Sequence, residues 1–222
     1  MLPARPIWTE HRAVVWAARL TVTVVGLAIF ALGVVLNLQA NAGLSPYQML
    51  HYGIALHTPL SFGQASQAVG VVMIVISWAL GVRPGPATLM NTVLVGIFTD
   101  LLLASQRIPL MESEPARYAM LLLSLAVSGL GIATYIRGGF GAGPRDSFML
   151  ALMRVLGKGP ASSRVFMEAA AALGGYLLGV PLGLGTILFA VLLGPSVGFW
   201  FKVLGVKQPP RQRASVATRG SR

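Results

Sequence analysis

The sequence predicts an all-α integral membrane protein with six transmembrane helices and two short re-entrant or interfacial half-helices, arranged as an inverted 3+3 internal repeat. Three observations lead to this fold class. Of the 222 residues, 55% are hydrophobic and only 10% are charged, whereas a soluble domain carries about 25% charged residues. Several apolar blocks exceed the roughly 18 residues that span hydrocarbon. The second half of the chain also repeats the first half.

Six apolar blocks predict the transmembrane helices: 14–38, 62–82, 87–104, 116–136, 161–178 and 182–203. The first block resembles a signal peptide, because Ala40-Asn41-Ala42 follows it like a cleavage site. Its apolar core is longer than the roughly 7–15 residues of a signal sequence, and it belongs to the repeat. We therefore expect a retained helix.

Two shorter segments, Pro46–His57 and Pro144–Leu156, follow the first span of each half. A helix of this size covers about 20 Å, which is less than the roughly 30 Å of hydrocarbon. Each begins at a proline, a residue favoured at the first helical position, in Gly43-Leu44-Ser45-Pro46 and Gly141-Ala142-Gly143-Pro144. The pattern predicts re-entrant or interfacial half-helices.

Basic residues are distributed unequally between the two sides of this topology. With six spans and a cytoplasmic N-terminus, fifteen Lys and Arg residues face the cytoplasm, and two, Arg107 and Arg117, lie outside. The positive-inside rule therefore predicts cytoplasmic termini in a bacterial cytoplasmic (inner) membrane. The chain divides into a cytoplasmic N-terminal segment (1–13), a first membrane repeat (14–104), an external linker (105–115), a second membrane repeat (116–203) and a basic disordered cytoplasmic tail (204–222).

The net charge of +11 does not indicate nucleic acid as a partner. Five of the basic residues lie in the tail, and no basic surface interleaved with aromatic residues accompanies them. We expect the tail to contact the anionic lipid headgroups of the bilayer.

A shift of 98 residues aligns the two halves without a gap. Each half contains three spans, so the second half must be inserted upside down relative to the first. The linker after the first span has no Lys or Arg, whereas its counterpart has four. Inverted repeats around broken helices are typical of secondary transporters, although duplication can also build a compact scaffold. The matches concentrate on residues with special backbone roles: Gly33/Gly131, Gly43/Gly141, Pro46/Pro144, Gly81/Gly179, Gly85/Gly183, Thr88/Thr186 and Gly96/Gly194.

Several motifs carry a resemblance to a known family. The run Gly139-Phe140-Gly141-Ala142-Gly143-Pro144-Arg145-Asp146 is similar to the hallmark of the YczE/YitT-type bacterial membrane proteins. The resemblance covers about residues 25 to 203 and implies a multi-span membrane protein, without an established activity. The other matching motifs are Leu80-Gly81-Val82-Arg83-Pro84-Gly85, Asn91 with Gly96 and Asp100, Arg164 with Glu168, and Gly183-Leu184-Gly185-Thr186.

Glu168 is the first candidate for contact with a substrate or an ion. It lies seven residues into its apolar block, where a charge costs roughly 2.5–3.5 kcal/mol and must face protein or water. Arg164 sits one turn earlier and can pair with it. The pair is either a structural lock or a working carboxylate with its resting partner.

Asn91, Asp100, Arg145 and Asp146 complete the candidates for substrate or ion contact. Asn91 belongs to a polar stripe of the third span that either lines a cavity or joins helices, and Asp100 lies about 100° from that stripe. Asp146 either caps the second half-helix, with Arg145 obeying the positive-inside rule, or the helix N-terminus and Arg145 attract an anion.

Small residues recur on one face of the second span and on the equivalent face of the fifth span. We expect this face to be the helix-packing seam between the repeats. Its members are Gly70, Ser77 and Gly81, and Gly175 and Gly179.

No catalytic residue, metal site or cofactor is expected. Cysteine is absent, and no hydrolase, zinc-protease or phosphate-loop motif occurs. His51 and His57 are six residues apart and cannot share a helix face, so we expect solvated interfacial histidines. The sequence favours a small secondary transporter or permease for a polar small solute, an anionic one included, rather than an enzyme. The alternative is a non-transporting membrane accessory or scaffold protein, and homo-oligomer formation stays open.

Overall fold

The described part of the chain is entirely helical. A computed structural model describes residues 8–141 and 143–206, so Ala142 and most of the predicted basic tail lie outside the described residues. In this part the helices are α1 (Trp8–Ala40), α2 (Pro46–His57), α3 (Phe62–Ala79), α4 (Pro86–Ala104), α5 (Glu114–Arg137), α6 (Pro144–Leu156), α7 (Pro160–Leu177) and α8 (Leu184–Val203).

Five of these helices are long and apolar enough to cross a membrane: α1 from Ala13, α3, α4, α5 and α8. In the described residues the predicted all-helical fold with several possible membrane spans is therefore confirmed. The predicted fifth span, α7, has 18 residues, but Arg164 and Glu168 lower its mean hydropathy, and it is not among the five.

The two half-helices begin and end where the sequence predicts. Ser45 caps α2, because its side chain accepts a hydrogen bond from the backbone of Gln48, and the Gln48 side chain accepts one in return. Pro144 begins α6 after Gly143. In both cases proline fills the first helical position, where no backbone donor is needed.

The predicted second and fifth spans are too long at their C-terminal ends. Helix α3 ends at Ala79 and α7 at Leu177, because Gly81 and Gly179 both adopt φ +83. This left-handed conformation, which glycine adopts without strain, ends a helix. Gly81 and Gly179 are therefore turn residues that follow the helices rather than positions within them.

The repeat recurs in the helix boundaries and in individual hydrogen bonds. A shift of 98 residues takes the starts of α2, α3 and α4 onto those of α6, α7 and α8. One backbone bond occurs twice: the Gly185 amide donates to the Ala42 carbonyl at 2.8 Å, and the Ala87 amide donates to the Phe140 carbonyl at 3.2 Å. The shift of 98 residues converts each bond into the other. The same backbone contact between the two halves therefore occurs twice.

Helices α1 and α5 form the antiparallel centre of the bundle. A methyl group on Gly26 would lie 2.3 Å from the Tyr135 backbone nitrogen, and one on Gly33 would lie 2.7 Å from that of Ser128. Backbones approach this closely only where side chains are absent. In this register the point just after Ala31 of α1 lies opposite the repeat-equivalent point of α5. We take this point as the centre of the bundle.

Hydrogen bonds at the two ends of this pair establish the antiparallel arrangement. At the beginning of α1, the Arg19 side chain donates to the carbonyls of Gly138 and Gly139, both at 2.8 Å. At the end of α1, the Gln39 side chain donates to the Ile108 carbonyl at 3.0 Å, just before α5. We call the first the basic end of the bundle and the second the Gln39 end.

Buried apolar clusters divide the helices into two groups. Helices α1, α4, α5 and α8 share two clusters and form a group that we call the frame. Helices α2, α3, α6 and α7 share the third cluster, built around Tyr47, Met73, Met167 and Ala171, and form the inner group. Each group takes two helices from each half of the chain, so the repeats are interleaved.

Candidate functional site

Both half-helices begin near the centre of the bundle. The Ser45 amide donates to the Asn37 side chain at 3.1 Å, and the Gln48 side chain donates to the Val34 carbonyl at 3.5 Å. These α1 residues lie only about 4–8 Å beyond the centre. The start of α6 is the counterpart: the Tyr135 hydroxyl would lie 3.4 Å from a methyl group on Gly143.

The two half-helices then run toward opposite ends. Gly53 of α2 packs against Leu178, because a methyl group on Gly53 would lie 2.6 Å from the Leu178 Cβ. The chain beyond Leu178 reaches Ala42 at the Gln39 end. Arg154 of α6 donates to the Gly81 carbonyl at 2.9 Å, in the turn that leads to the basic end. The N-termini of α2 and α6 are therefore directed toward the centre from opposite sides.

Arg145 connects the two half-helices. Its guanidinium carbon lies 4.0 Å from the centre of the Tyr47 ring, in cation–π geometry. Within the described residues, no hydrogen bond or ion pair of the Arg145 guanidinium is found. Tyr47 also packs in one apolar cluster with Met167 and Ala171 of α7, the helix that carries Arg164 and Glu168, and Asp146 follows Arg145 on α6. These five residues come from both halves of the chain, and we call them the central cluster.

Arg164 and Glu168 form the predicted ion pair, with Nε and Oε1 3.0 Å apart. Glu168 is the ninth of the 18 residues of α7, so it lies at half the depth of that helix. The side chain of Arg164 is 50% exposed and that of Glu168 is 22% exposed. The pair is therefore less buried than its depth in the sequence suggested.

Asp146 and Asn91 lie around the start of α6. Asp146 is the third residue of that helix, in the first turn, where the helix dipole favours a carboxylate. The Asn91 amide nitrogen would lie 3.5 Å from a methyl group on Gly143. The missing side chain of Gly143 makes room for Asn91 and for Tyr135.

Asp100 is not part of this cluster. It accepts hydrogen bonds from the Gly63 amide, at 2.8 Å, and from the Ser61 hydroxyl, so it binds the N-terminus of α3 to α4. A carboxylate at a helix N-terminus is favoured by the exposed amides and by the helix dipole.

The predicted seam is only partly the contact between repeats. Gly175 lies against Met49 of the other half, because a methyl group on it would be 2.6 Å from the Met49 side chain. Gly70 packs instead on Thr92 of its own half, at 2.7 Å by the same measure. Ser77 is buried and bonds to the carbonyl of Met73. The closest contact between repeats, α1 with α5, was not predicted as a seam, although the repeated Leu-Gly at 32–33 and 130–131 marks it.

Three aromatic residues of the site were missed by sequence reasoning. His51 is 5% exposed and lies between the rings of Tyr47 and Phe62, so the prediction of a solvated histidine is wrong for it. His57 is exposed as predicted. Tyr47 could have been found because it is the repeat equivalent of Arg145, and Tyr135 because it is the equivalent of Asn37.

The central cluster can bind charge of either sign. The N-termini of α2 and α6 present positive ends of helix dipoles, and Arg145 adds a guanidinium without a carboxylate within ion-pair distance among the described residues. Glu168 supplies a carboxylate whose partner, Arg164, is half exposed. The cluster can therefore offer binding groups both to an anionic group and to a cation or proton.

Comparison with known proteins finds relatives of unassigned function, one of which is described as a membrane protein. The model of the family of unknown function DUF6198 matches residues 17–202. The uncharacterized membrane protein YczE of Bacillus subtilis (strain 168) is 33% identical over 177 residues, 78% of this chain and 81% of that protein. An uncharacterized protein of Haemophilus influenzae is 28% identical over 201 residues, 90% and 89% of the two chains. The uncharacterized protein YyaS of Bacillus subtilis is 25% identical over 173 residues, 77% and 86%. These findings confirm the resemblance to YczE-type membrane proteins.

No solved structure matches the chain.

Proposed function

We propose that this chain, which belongs to the family of unknown function DUF6198, is a small secondary transporter that carries a polar, charged solute through the central cluster. One observation carries the proposal: two half-helices from opposite ends of the bundle direct their N-termini at a cluster in which Tyr47 of the first half meets the charged side chains of the second half. Broken helices at a repeat interface near mid-depth are the usual architecture of solute sites in secondary transporters.

The proposal includes a topology of six spans in which α7 crosses the membrane. Its support is the surface of α7, where Val165, Phe166, Leu173 and Leu177 are exposed apolar side chains suited to lipid. The antiparallel pairing of α1 with α5 supports an inverted repeat. The basic end, where Arg19 contacts the carbonyls that follow α5, is assigned to the cytoplasm by the positive-inside rule, and both termini are cytoplasmic.

The solute class follows from the residues of the cluster. A guanidinium stacked on Tyr47 at the N-terminus of α6 favours a carboxylate or phosphate group of the solute. Glu168, at half the depth of α7, favours a coupling proton or cation. A charged group at this depth is expensive to insert, and a functional role accounts for its presence better than packing does.

A comparison of solute consumption tests the proposal. Cells that produce the wild type, Arg145→Gln, Glu168→Gln or the control Glu114→Gln at equal membrane abundance are supplied with a defined mixture of amino acids, carboxylic acids, phosphate esters and sugars. We expect the wild type and Glu114→Gln to change the level of the same solute, and the other two variants to match cells without the protein. If wild-type cells and cells without the protein show the same level of every solute, in the cells and in the medium, the transport proposal is refuted and the scaffold function replaces it.

A further inference from the structure

The two halves differ at one helix contact that the repeat should make equal. Helices α3 and α4 pack closely, because a methyl group on Gly63 would lie 2.2 Å from the Gly96 carbonyl oxygen. Their equivalents, α7 and α8, are not packed against each other in the described chain. On α8, Gly194 and Gly198 would carry a methyl group with nothing within 4 Å. The contact between the inner group and the frame is thus closed in one half and open in the other.

The open contact lies toward the basic end. Helix α7 begins after Lys158, on the side of the bundle to which α6 runs, and α8 ends there at Lys202 and Val203. The closed contact lies toward the Gln39 end, because α4 ends there, next to the first turn of α3. The two contacts therefore lie toward opposite ends of the bundle.

The exposure of Arg164 is consistent with an opening at the open contact. On a helical wheel Arg164 lies about 20° from Ala171 and about 180° from Leu173. Ala171 is buried and Leu173 is 58% exposed, so Arg164 is on the side of α7 that faces the bundle. Its side chain is nevertheless 50% exposed. The accessible space is thus between the helices, next to the central cluster, and not on the lipid side.

One side chain holds the closed contact together. Asp100 of α4 accepts from the Gly63 amide and from the Ser61 hydroxyl of α3. The repeat equivalents of Asp100, Ser61 and Gly63 are Gly198, Gly159 and Ala161, which have no carboxylate and no hydroxyl. The open contact therefore has no such latch.

We propose that the inner group rocks as a body against the frame, that this structure is the state open to the basic end, and that Asp100 is the latch that keeps the Gln39 end closed. The proposal rests on the proposed transport function and identifies how access to the central cluster alternates. In the opposite state α7 packs on α8 as α3 packs on α4 here, with Ala161 against Gly194.

The sequence of the open contact is suited to that closure. The open contact has Glu168 where the closed contact has Gly70, and it has Ala190 where the closed contact has Thr92. The larger residue on α7 is thus matched by a smaller one on α8. Ala161, Gly194 and Gly198 are small enough for the backbones to approach. Pro195, inside α8, lies next to Gly194 and has no backbone donor of its own.

Thiol labelling of two single-cysteine variants tests the proposal, because the chain has no native cysteine. Thr92→Cys reports the closed contact and is 7% exposed as threonine. Ala161→Cys reports the open contact, where the alanine is exposed. We expect Ala161→Cys to react with an impermeant reagent supplied at the cytoplasmic face, and Thr92→Cys to be protected from one supplied outside.

The latch is then removed in each background by Asp100→Asn. Hydrogen bonds to a charged acceptor are worth enough to shift a two-state equilibrium by about tenfold. We expect the labelling of Thr92→Cys from outside to rise about tenfold while that of Ala161→Cys falls. Glu112→Gln, which removes an exposed charge at the Gln39 end, is the matched control and leaves both rates unchanged.

The outcomes separate the alternatives. A rise at both cysteines means that Asp100 only stabilises the fold, and no change at either means that it is not a latch; both results overturn the proposal. An unreactive Ala161→Cys in the parent protein also overturns it, because the open contact is then covered by another molecule. Labelling needs no solute, so a reciprocal change without any detected transport would leave the two states standing and remove only the proposed function.

Discussion

Replacement of Glu168 by glutamine separates a working carboxylate from a structural ion pair. The change keeps the shape and hydrogen-bonding capacity of the side chain and removes its charge. Breaking a fully buried pair costs about 3–5 kcal/mol. Here the pair is i,i+4 on one helix and Arg164 is 50% exposed, so the appropriate scale is that of exposed helix pairs, about 0.3–0.5 kcal/mol. We therefore expect Glu168→Gln to reach the membrane in near-normal amount.

The assay measures abundance, thermal stability and function of the same preparations. Membrane abundance is read by immunoblot, and the melting temperature is read on detergent-solubilised protein, with Glu114→Gln as the control for loss of one carboxylate. We expect Glu168→Gln to match the control in both measurements and to lose the solute phenotype of the wild type. If Glu168→Gln is degraded, and the double variant Arg164→Met/Glu168→Met restores both abundance and phenotype, the pair is only a lock and the reasoning is refuted.

Three further predictions concern packing and topology. Gly26→Ala should lower the free energy of unfolding by about 1–3 kcal/mol, because the new methyl group meets backbone atoms of α5. Gly194→Ala has nothing within 4 Å and should not lower the melting temperature, since alanine is the better helix former; equal melting temperatures for the two variants would contradict the α1–α5 register. Leu60→Cys and Lys158→Cys occupy equivalent, exposed positions of the two repeats and should react with an impermeant thiol reagent from outside and from the cytoplasm respectively, whereas labelling of both from one side would mean parallel halves. A reporter active only outside the cytoplasm should be inactive when fused to Arg222, and strong activity would reverse the topology.

Helix positions were predicted well where the sequence contains a local signal. The half-helices Pro46–His57 and Pro144–Leu156 have the predicted bounds, because a proline fixes the first residue of each one. Gly81 and Gly179 were placed inside helices, although their repeated Leu-Gly-Val context is that of a turn with a left-handed glycine. Local chemistry thus determines starts and stops, and it has to be read residue by residue.

Packing partners were predicted less well, and the reason is physical. In a membrane helix the sides that face lipid and protein are both apolar, so hydrophobic periodicity does not mark the packing face. Gly70 and Gly175 have different packing partners. Gly70 packs on α4 of its own half, whereas Gly175 packs on α2 of the opposite half. The burial of His51 was missed for the same reason, because α2 is inside the bundle rather than at its surface.

The central cluster is where the duplication has lost its symmetry. The frame obeys the repeat down to paired hydrogen bonds, such as Ala42 with Gly185 and Phe140 with Ala87. The charged residues do not. Their equivalents in the first half are all uncharged: Tyr47 for Arg145, Gln48 for Asp146, Ser66 for Arg164 and Gly70 for Glu168. Packing alone would be satisfied by the neutral set, as the first half demonstrates with a capped and buried α2 start. Charges that add insertion cost without being needed for the fold are therefore the feature of the sequence on which the proposed transport function depends most.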